Sequence, residues 1–188
     1  AAGPILDALP RLSDWAPSFL GSVLAALGAD AAPVIRERLA DPSAPAWLRT
    51  VHALALVQLH DPRAADTAAE ALTRVELHGG PDDIDLAVAL LRVLEEVGRP
   101  EHVRFAIPCV EAQHHGIRAW AVRAIGVLGD ERVEPVLVRS LGDESPWVSS
   151  NAALALLATG GRRLVERISE QHAEYAALLR LTLAEAEG

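Results

Sequence analysis

Five stretches of the chain share one pattern, in which a run of small and apolar residues ends at a glycine or, in one copy, at His60. A marker residue stands eleven positions before this end in four copies, and thirteen before it in the copy that has two extra residues. The markers are Pro17, Arg49, Asp85, Arg118 and Ser149, and they lie 31 to 36 residues apart. Self-similarity at a period of about 20–50 residues is the sequence signature of a solenoid, and it constrains the fold more than any other feature.

Each repeating unit has the apolar spacing of two helices. One first helix carries Val133, Val136 and Leu137 at helical intervals, and a turn rich in Pro, Gly and Asp follows it. A second helix begins near the marker and ends at the glycine, which we expect to adopt the left-handed conformation. With an opening helix at 3–12 and a closing helix at 172–186, the sequence predicts about six helix pairs. Small residues that allow close packing recur inside the second helices: Ala121, Ala124, Ala152 and Ala155.

Composition narrows the class of protein. The chain is 51% hydrophobic but only 4% aromatic, because alanine and leucine supply its apolar residues. Both are strong helix formers, so we expect an all-α domain over residues 1–188, alone or within a longer protein. The net charge of -9 argues against non-specific nucleic-acid binding. No apolar run approaches the ~18 residues that cross a bilayer, so we expect a cytoplasmic protein or the soluble domain of a membrane-anchored one.

Two segments resemble the HEAT repeat, especially the HEAT-like repeats common in bacteria. They are residues 117–145, IRAWAVRAIGVLGDERVEPVLVRSLGDES, and residues 48–72, LRTVHALALVQLHDPRAADTAAEAL. The unit at 84–110 fits more loosely, and the two ends fit poorly, as capping units do. The resemblance implies a right-handed α-α superhelix with its second helices on the concave side, and a scaffold that holds another protein or peptide.

The resemblance also implies a role for arginine at the marker position. In the family this Arg often pairs with an acidic residue of the preceding turn. The chain keeps it as Arg49 and Arg118 but has Asp85 and Ser149 in two other units, so the ladder of pairs is interrupted there. The candidate acids are Asp41, Glu111 and Asp143.

A partner site is predicted along the second helices. Their sixth position is usually polar in the family, but Leu54, Leu90 and Leu154 occupy it here. These leucines either form the floor of a groove for an amphipathic helix or extended peptide, or are buried by the curvature of the solenoid. Arg118 is either part of this site or a member of the ladder. The candidate partner-binding residues are Arg49, Leu54, Asp85, Leu90, Arg118, Arg123 and Leu154.

Aromatic and charged residues leave further alternatives open. Three tryptophans stand at the start of second helices, where they either cap the turn or form an aromatic edge for a partner: Trp15, Trp47 and Trp147. Trp120 lies one turn inside its helix and is expected in the core. A polar contact surface and a solvated face are both open for four residues of one second helix: Asp85, Arg92, Glu95 and Glu96.

No pattern in the chain predicts catalysis. Glu111 and His114 have a spacing that can share a metal, but His114 and His115 are adjacent at a predicted turn and point about 100° apart. We therefore expect no metal and no cofactor. Cys109 lies in an apolar first helix and is expected to be a buried, inert thiol.

Enzymes with HEAT-like folds are the alternatives to a scaffold. The deoxyhypusine hydroxylase type carries repeated His-Glu dipeptides, which this chain lacks, and the alkylpurine DNA glycosylase type needs a basic groove, whereas residues 61–110 are acidic. Bilin-attaching lyases have weak motifs, so a lyase-like enzyme or subunit that binds a small molecule in the concave groove stays open. The favoured hypothesis is a non-catalytic module for protein–protein interaction.

Overall fold

The computed structural model describes residues 3–13 and 16–186, and within these ranges every regular element is helical. The α-helices are α1 (Gly3–Ala8), α2 (Pro17–Ala25), α3 (Ala32–Ala40), α4 (Ala46–Leu59), α5 (Ala64–Leu72), α6 (Pro81–Val97), α7 (Val103–Ala106), α8 (His115–Leu128), α9 (Glu134–Ser140), α10 (Pro146–Gln171) and α11 (Ala176–Glu185). Short 3-10 helices cover Leu9–Leu12, Ala29–Ala31, Pro100–His102, Ile107–Glu111, Glu131–Val133 and Ala173–Tyr175.

The helices form two layers. In the second-helix layer, α2, α4, α6, α8 and α10 lie side by side, and each contacts the next. The first helices α3, α5 and α9, together with α7 and the 3-10 helix that continues it, pack on the second helix of their own unit. The principal contacts join elements of the same unit or of adjacent units. The prediction of an all-α solenoid of helix pairs is confirmed.

Proline fixes the start of three second helices. Pro17, Pro81 and Pro146 are each the first residue of their helix. A proline costs nothing there, because its missing N–H would have no intrahelical partner and its fixed φ suits the helix. The turn residues of the sequence pattern therefore set where these second helices begin.

The helix ends differ from the prediction. His60 does adopt the left-handed conformation, with φ 48° and ψ 40°. Gly98 and Gly129, however, have φ of −69° and −82°, so the expected left-handed stop is wrong at both. Space explains Gly129 instead: a Cβ there would lie 2.6 Å from the carbonyl oxygen of Ile125 and 2.7 Å from Val133. These glycines allow close approach of the backbone rather than an unusual φ.

The last two units are joined without a loop. Helix α10 spans 26 residues and contains a non-helical residue, Gly161, with φ 66° and ψ −169°. It thus comprises the second helix of one unit and the first helix of the next, meeting at a break. The helix stop expected at Gly160 therefore falls one residue later, where a positive φ favours glycine.

The core is a single cluster of buried side chains that extends from Leu6 to Leu179. Alanines at the predicted close-packing positions are buried within it, and one close approach joins α8 to α10. A Cβ on Gly126 would lie 2.6 Å from the Cβ of Ala155. In the described part of the chain no single helix is long and apolar enough to cross a membrane; only α2 taken with residues 29–40 passes that test, and the two are bent by 107°.

Candidate partner-binding groove

Three adjoining depressions follow the outward surface of the second-helix layer, and we call them together the second-helix groove. The first lies between α2, α4 and α6 and includes Leu54, Asp85 and Arg92. The second, of about 400 Å³, shares Arg92 and adds Glu95 and Trp120 from α6 and α8. The third shares Glu95 with the second and extends to α10, where it is mostly apolar. The groove therefore crosses five successive helices.

A group of four residues, the Trp120 cluster, occupies the middle of the groove. The guanidinium carbons of Arg92 and Arg123 lie 5.2 Å and 4.4 Å from the centre of the Trp120 ring. Arg123 also donates from Nε and Nη2 to Oε1 of Glu95, at 3.0 Å and 2.7 Å. Cation–π contacts and charged hydrogen bonds of this kind hold long side chains in one arrangement. Trp120 is partly buried: it packs against the core, where it was expected, and it also lines the second depression.

Arg92, rather than Leu90, occupies the outward position of α6. Leu90 is completely buried. For this leucine, burial within the solenoid is therefore the correct alternative, and a place on the groove floor is not. Counted back from the end of each second helix, Arg92 precedes Gly98 by the same six residues that separate Arg123 from Gly129. The two extra residues of this unit therefore lie near the start of α6. Counting forward from Asp85 consequently gave Leu90 as the outward residue, whereas the outward residue is Arg92.

Because of the same two extra residues, Asp85 is not structurally equivalent to the marker residues of the other units. Counted back from Gly98, the residue equivalent to Arg118 is Ala87, which is fully buried. Asp85 itself is exposed and borders the first depression. It remains a candidate contact residue, but at the edge of the groove rather than in the ladder.

Arg118 belongs to the protein interior. Its Nε and Nη2 donate to the two carboxylate oxygens of Asp143 at 2.7 Å and 2.8 Å, and its Nη1 donates to the carbonyls of Ala112 and Gln113. These hydrogen bonds to Asp143 raise the pKa of the Arg118 guanidinium above its ordinary value. Asp143 lies in the following unit rather than in the preceding turn, so the pair joins two units. The side chain, 9% exposed, is not accessible to a partner.

Arg49 occupies the same position but makes no ion pair within the described part of the chain. Its Nε donates to the carbonyl of Leu39 at 3.0 Å, and its Nη2 is buried with no hydrogen-bond partner among the described residues. Asp41 accepts hydrogen bonds from Ser43 instead. Burial lowers the pKa of Arg49, and the positive charge of Arg74 acts in the same direction. Arg49 is therefore, like Arg118, a residue of the predicted site that is buried and not accessible to a partner.

The carboxyl-terminal end of the groove is apolar. Leu154 is 50% exposed and Val127 is 60% exposed, and both line the third depression. Leu54, at the equivalent position near the other end, is partly buried and lines the first depression. Of the three predicted leucines, the structure thus leaves two at the groove and buries one.

The tryptophan edge is only partly visible. Trp47 is half-buried, Trp147 is 44% exposed, and Trp15 lies outside the described residues. The ring of His115 contacts Trp147 edge-on at 6.1 Å and stacks on His114 at 4.8 Å. The aromatic group is therefore local to one turn and does not reach the second-helix groove.

The histidines and the cysteine make structural contacts. His114 accepts a hydrogen bond from the backbone of Gly116, while Glu111 pairs with Arg139 at 3.0 Å. No group of three His, Cys, Asp or Glu residues within the described ranges could hold a metal. Cys109 is buried, and burial raises the pKa of its thiol to about 12.

One contact of a buried histidine with an exposed aspartate was not anticipated from the sequence. His102 is 2% exposed; its Nδ1 accepts a hydrogen bond from the Arg99 backbone, so its Nε2 donates to Asp66 at 3.0 Å. The bond to His102 is the main cause that lowers the pKa of Asp66. This pair connects α5 to the turn before α7, and nothing in the turn sequence GRPEH distinguishes it from a solvated loop.

These features define a class, the all-α solenoid of paired helices with an open groove along its second helices. The sequence model of HEAT repeats matches residues 76–158 and 107–186, which together cover more than half of the chain. The chain belongs to the HEAT repeat family. A search of the curated proteins finds no match. HEAT repeats generally mediate protein–protein interaction and are typically non-catalytic.

Proposed function

We propose that this chain is a single-domain, non-catalytic scaffold module that binds a segment of another protein along the second-helix groove, on the concave side of the solenoid. The observation that carries the proposal is the exposure of Val127 and Leu154 beside the Trp120 cluster. Exposed apolar side chains next to an ordered aromatic residue are typical of surfaces that bind proteins.

The accessible residues of the site differ from those that the sequence predicted. Arg49, Leu90 and Arg118 are buried and serve the fold. The residues left to contact a partner are Leu54, Asp85, Arg92, Trp120, Arg123, Val127 and Leu154. The apolar members supply most of the binding free energy, and the charged members set the orientation of the partner.

A bilin-lyase-like enzyme or subunit is the alternative function. Small-molecule sites bury most of the surface of their ligand, whereas the depressions of this groove are open to solvent. A protein segment, which can cross several helices, suits such a groove better. Incubation with tetrapyrroles distinguishes the two functions, because only a lyase-like site should change the absorbance spectrum of the pigment.

The test of the proposal compares two leucines. Leu154→Asp places a charge in the groove, whereas Leu181→Asp places one on α11 at a leucine that is 57% exposed and lines none of the three depressions. Proteins captured from the native host should bind the Leu181 variant and the unchanged chain alike, and should bind the Leu154 variant at least tenfold more weakly. Equal capture by both variants, with unchanged helical content, would contradict the proposed site.

A further inference from the structure

Of the two arginines in the Trp120 cluster, Arg123 has a carboxylate partner and Arg92 has none among the described residues. Glu95 neutralises Arg123 at 2.7 Å, and Glu96 lies 2.7 Å from His60. Arg92 has the ring of Trp120 beneath its guanidinium, but within the described part of the chain no carboxylate lies within 4.0 Å of it. A guanidinium that stacks on an aromatic face keeps its N–H donors free at its edge, in the geometry that binds a carboxylate.

We infer that the partner segment presents a single carboxylate to Arg92 and apolar side chains to Val127 and Leu154. This inference rests on the proposed function. Arg92 is already held by Trp120, so little side-chain entropy is lost when a carboxylate binds. The bond would neutralise Arg92, which has no acid beside it among the described residues.

The surroundings of Arg92 select an isolated acid rather than an acidic run. Asp85, Glu95 and Glu96 line the same two depressions and repel further negative charge. Asp85 is exposed and lies seven residues from Arg92 on α6, a distance of about 10 Å along the helix axis. A basic residue of the partner suits that position, so the segment carries one acid with neutral or basic neighbours.

The apolar end sets the length of the segment. Packed helices lie about 8–10 Å apart, so Leu154, two second helices beyond Arg92, is about 20 Å away. A partner that engages both must span this distance with its apolar residues toward α8 and α10. The occupant is therefore a linear segment of another protein rather than a free carboxylic acid.

Random twelve-residue peptides displayed on phage test this chemistry. The unchanged chain should select peptides that contain one Asp or Glu together with apolar residues. Arg92→Gln should abolish the preference for the acid, and Arg92→Glu should reverse it to Lys or Arg. Arg63→Gln is the matched control, since Arg63 is an exposed arginine at the start of α5, in the other layer, and should leave the selected sequences unchanged.

The affinity of one selected peptide provides the second measurement. Replacing its acid by the amide should weaken binding to the unchanged chain about tenfold, as expected for loss of a charge-assisted hydrogen bond, and should have no effect on the Arg92→Gln variant. If peptides bind and Leu154→Asp abolishes their binding, but the acid preference is absent or survives in Arg92→Gln, the inference is wrong and the proposed function stands. If no peptide is selected, or if Leu154→Asp binds the peptides equally well, both are wrong.

Discussion

Acid should destabilise this protein through one buried histidine. His52 in α4 is 1% exposed, and neither ring nitrogen has a hydrogen-bond partner among the described residues. Burial lowers its pKa to about 4, and the charge of Arg38 acts in the same direction. Above pH ~6.5, the ordinary pKa of histidine, the ring is neutral in the folded and the unfolded chain, so it causes no pH dependence.

Between pH ~6.5 and 4 the unfolded chain binds a proton at this histidine that the folded chain does not bind. The free energy of unfolding therefore falls by up to about 1.4 kcal/mol per pH unit, and by about 3 kcal/mol at pH 4. His52→Leu removes this dependence. It also removes two unsatisfied nitrogens from the core, so at pH 7.5 the variant should be at least as stable as the unchanged chain.

Urea unfolding at a series of pH values from 7.5 to 4.5 measures the effect. The carboxylates titrate equally in both proteins, so the difference between the two free-energy curves isolates His52. His78→Leu, at an exposed histidine in the turn before α6, is the control and should keep the pH dependence of the unchanged chain. Parallel curves for the unchanged chain and His52→Leu would refute the argument.

Three further changes have defined outcomes. Because Cys109 is buried with a pKa of about 12, a disulfide reagent at pH 8 should modify it only as fast as the chain unfolds, and immediate stoichiometric reaction would contradict this. Arg118→Ala leaves Asp143 without its buried partner and should lower the free energy of unfolding by about 3–5 kcal/mol in urea; a loss under ~1 kcal/mol would show that the pair is not structural. Gly126→Ala should destabilise by about 1–3 kcal/mol because its Cβ meets Ala155, and Ala155→Gly in the same chain should restore part of the loss in thermal melting.

The sequence was sufficient to predict the fold because every level of the pattern agreed. The repeat period, the apolar spacing and the prolines at the helix starts all indicate the same helix pairs. The errors in predicting the helix ends arose where the outcome depends on distances between atoms of different residues. Gly129 was assigned to a backbone conformation, whereas it is needed because Ile125 and Val133 leave no room for a side chain.

The site was predicted less well, for reasons visible in single residues. Arg49 and Arg118 have the same position in the motif, yet only Arg118 meets an acid, because the next unit supplies Asp143 in one case and only Arg74 in the other. A repeat pattern describes one unit at a time and cannot show such a contact between units. Arg92, by contrast, could have been found by counting back from Gly98, since the helix end keeps its register when residues are added at its start.

The pair of Arg118 with Asp143 has a mechanical consequence. It is a two-point ion pair in the interior, whereas two contacts that cross the layer near the other end, Gln58 to Ser22 and His60 to Glu96, are exposed and therefore weak. We expect these exposed contacts to resist bending of the solenoid less than the pair of Arg118 with Asp143 does. The amino-terminal half of the groove should then adjust its width to side chains of different size more readily than the half at α8 and α10.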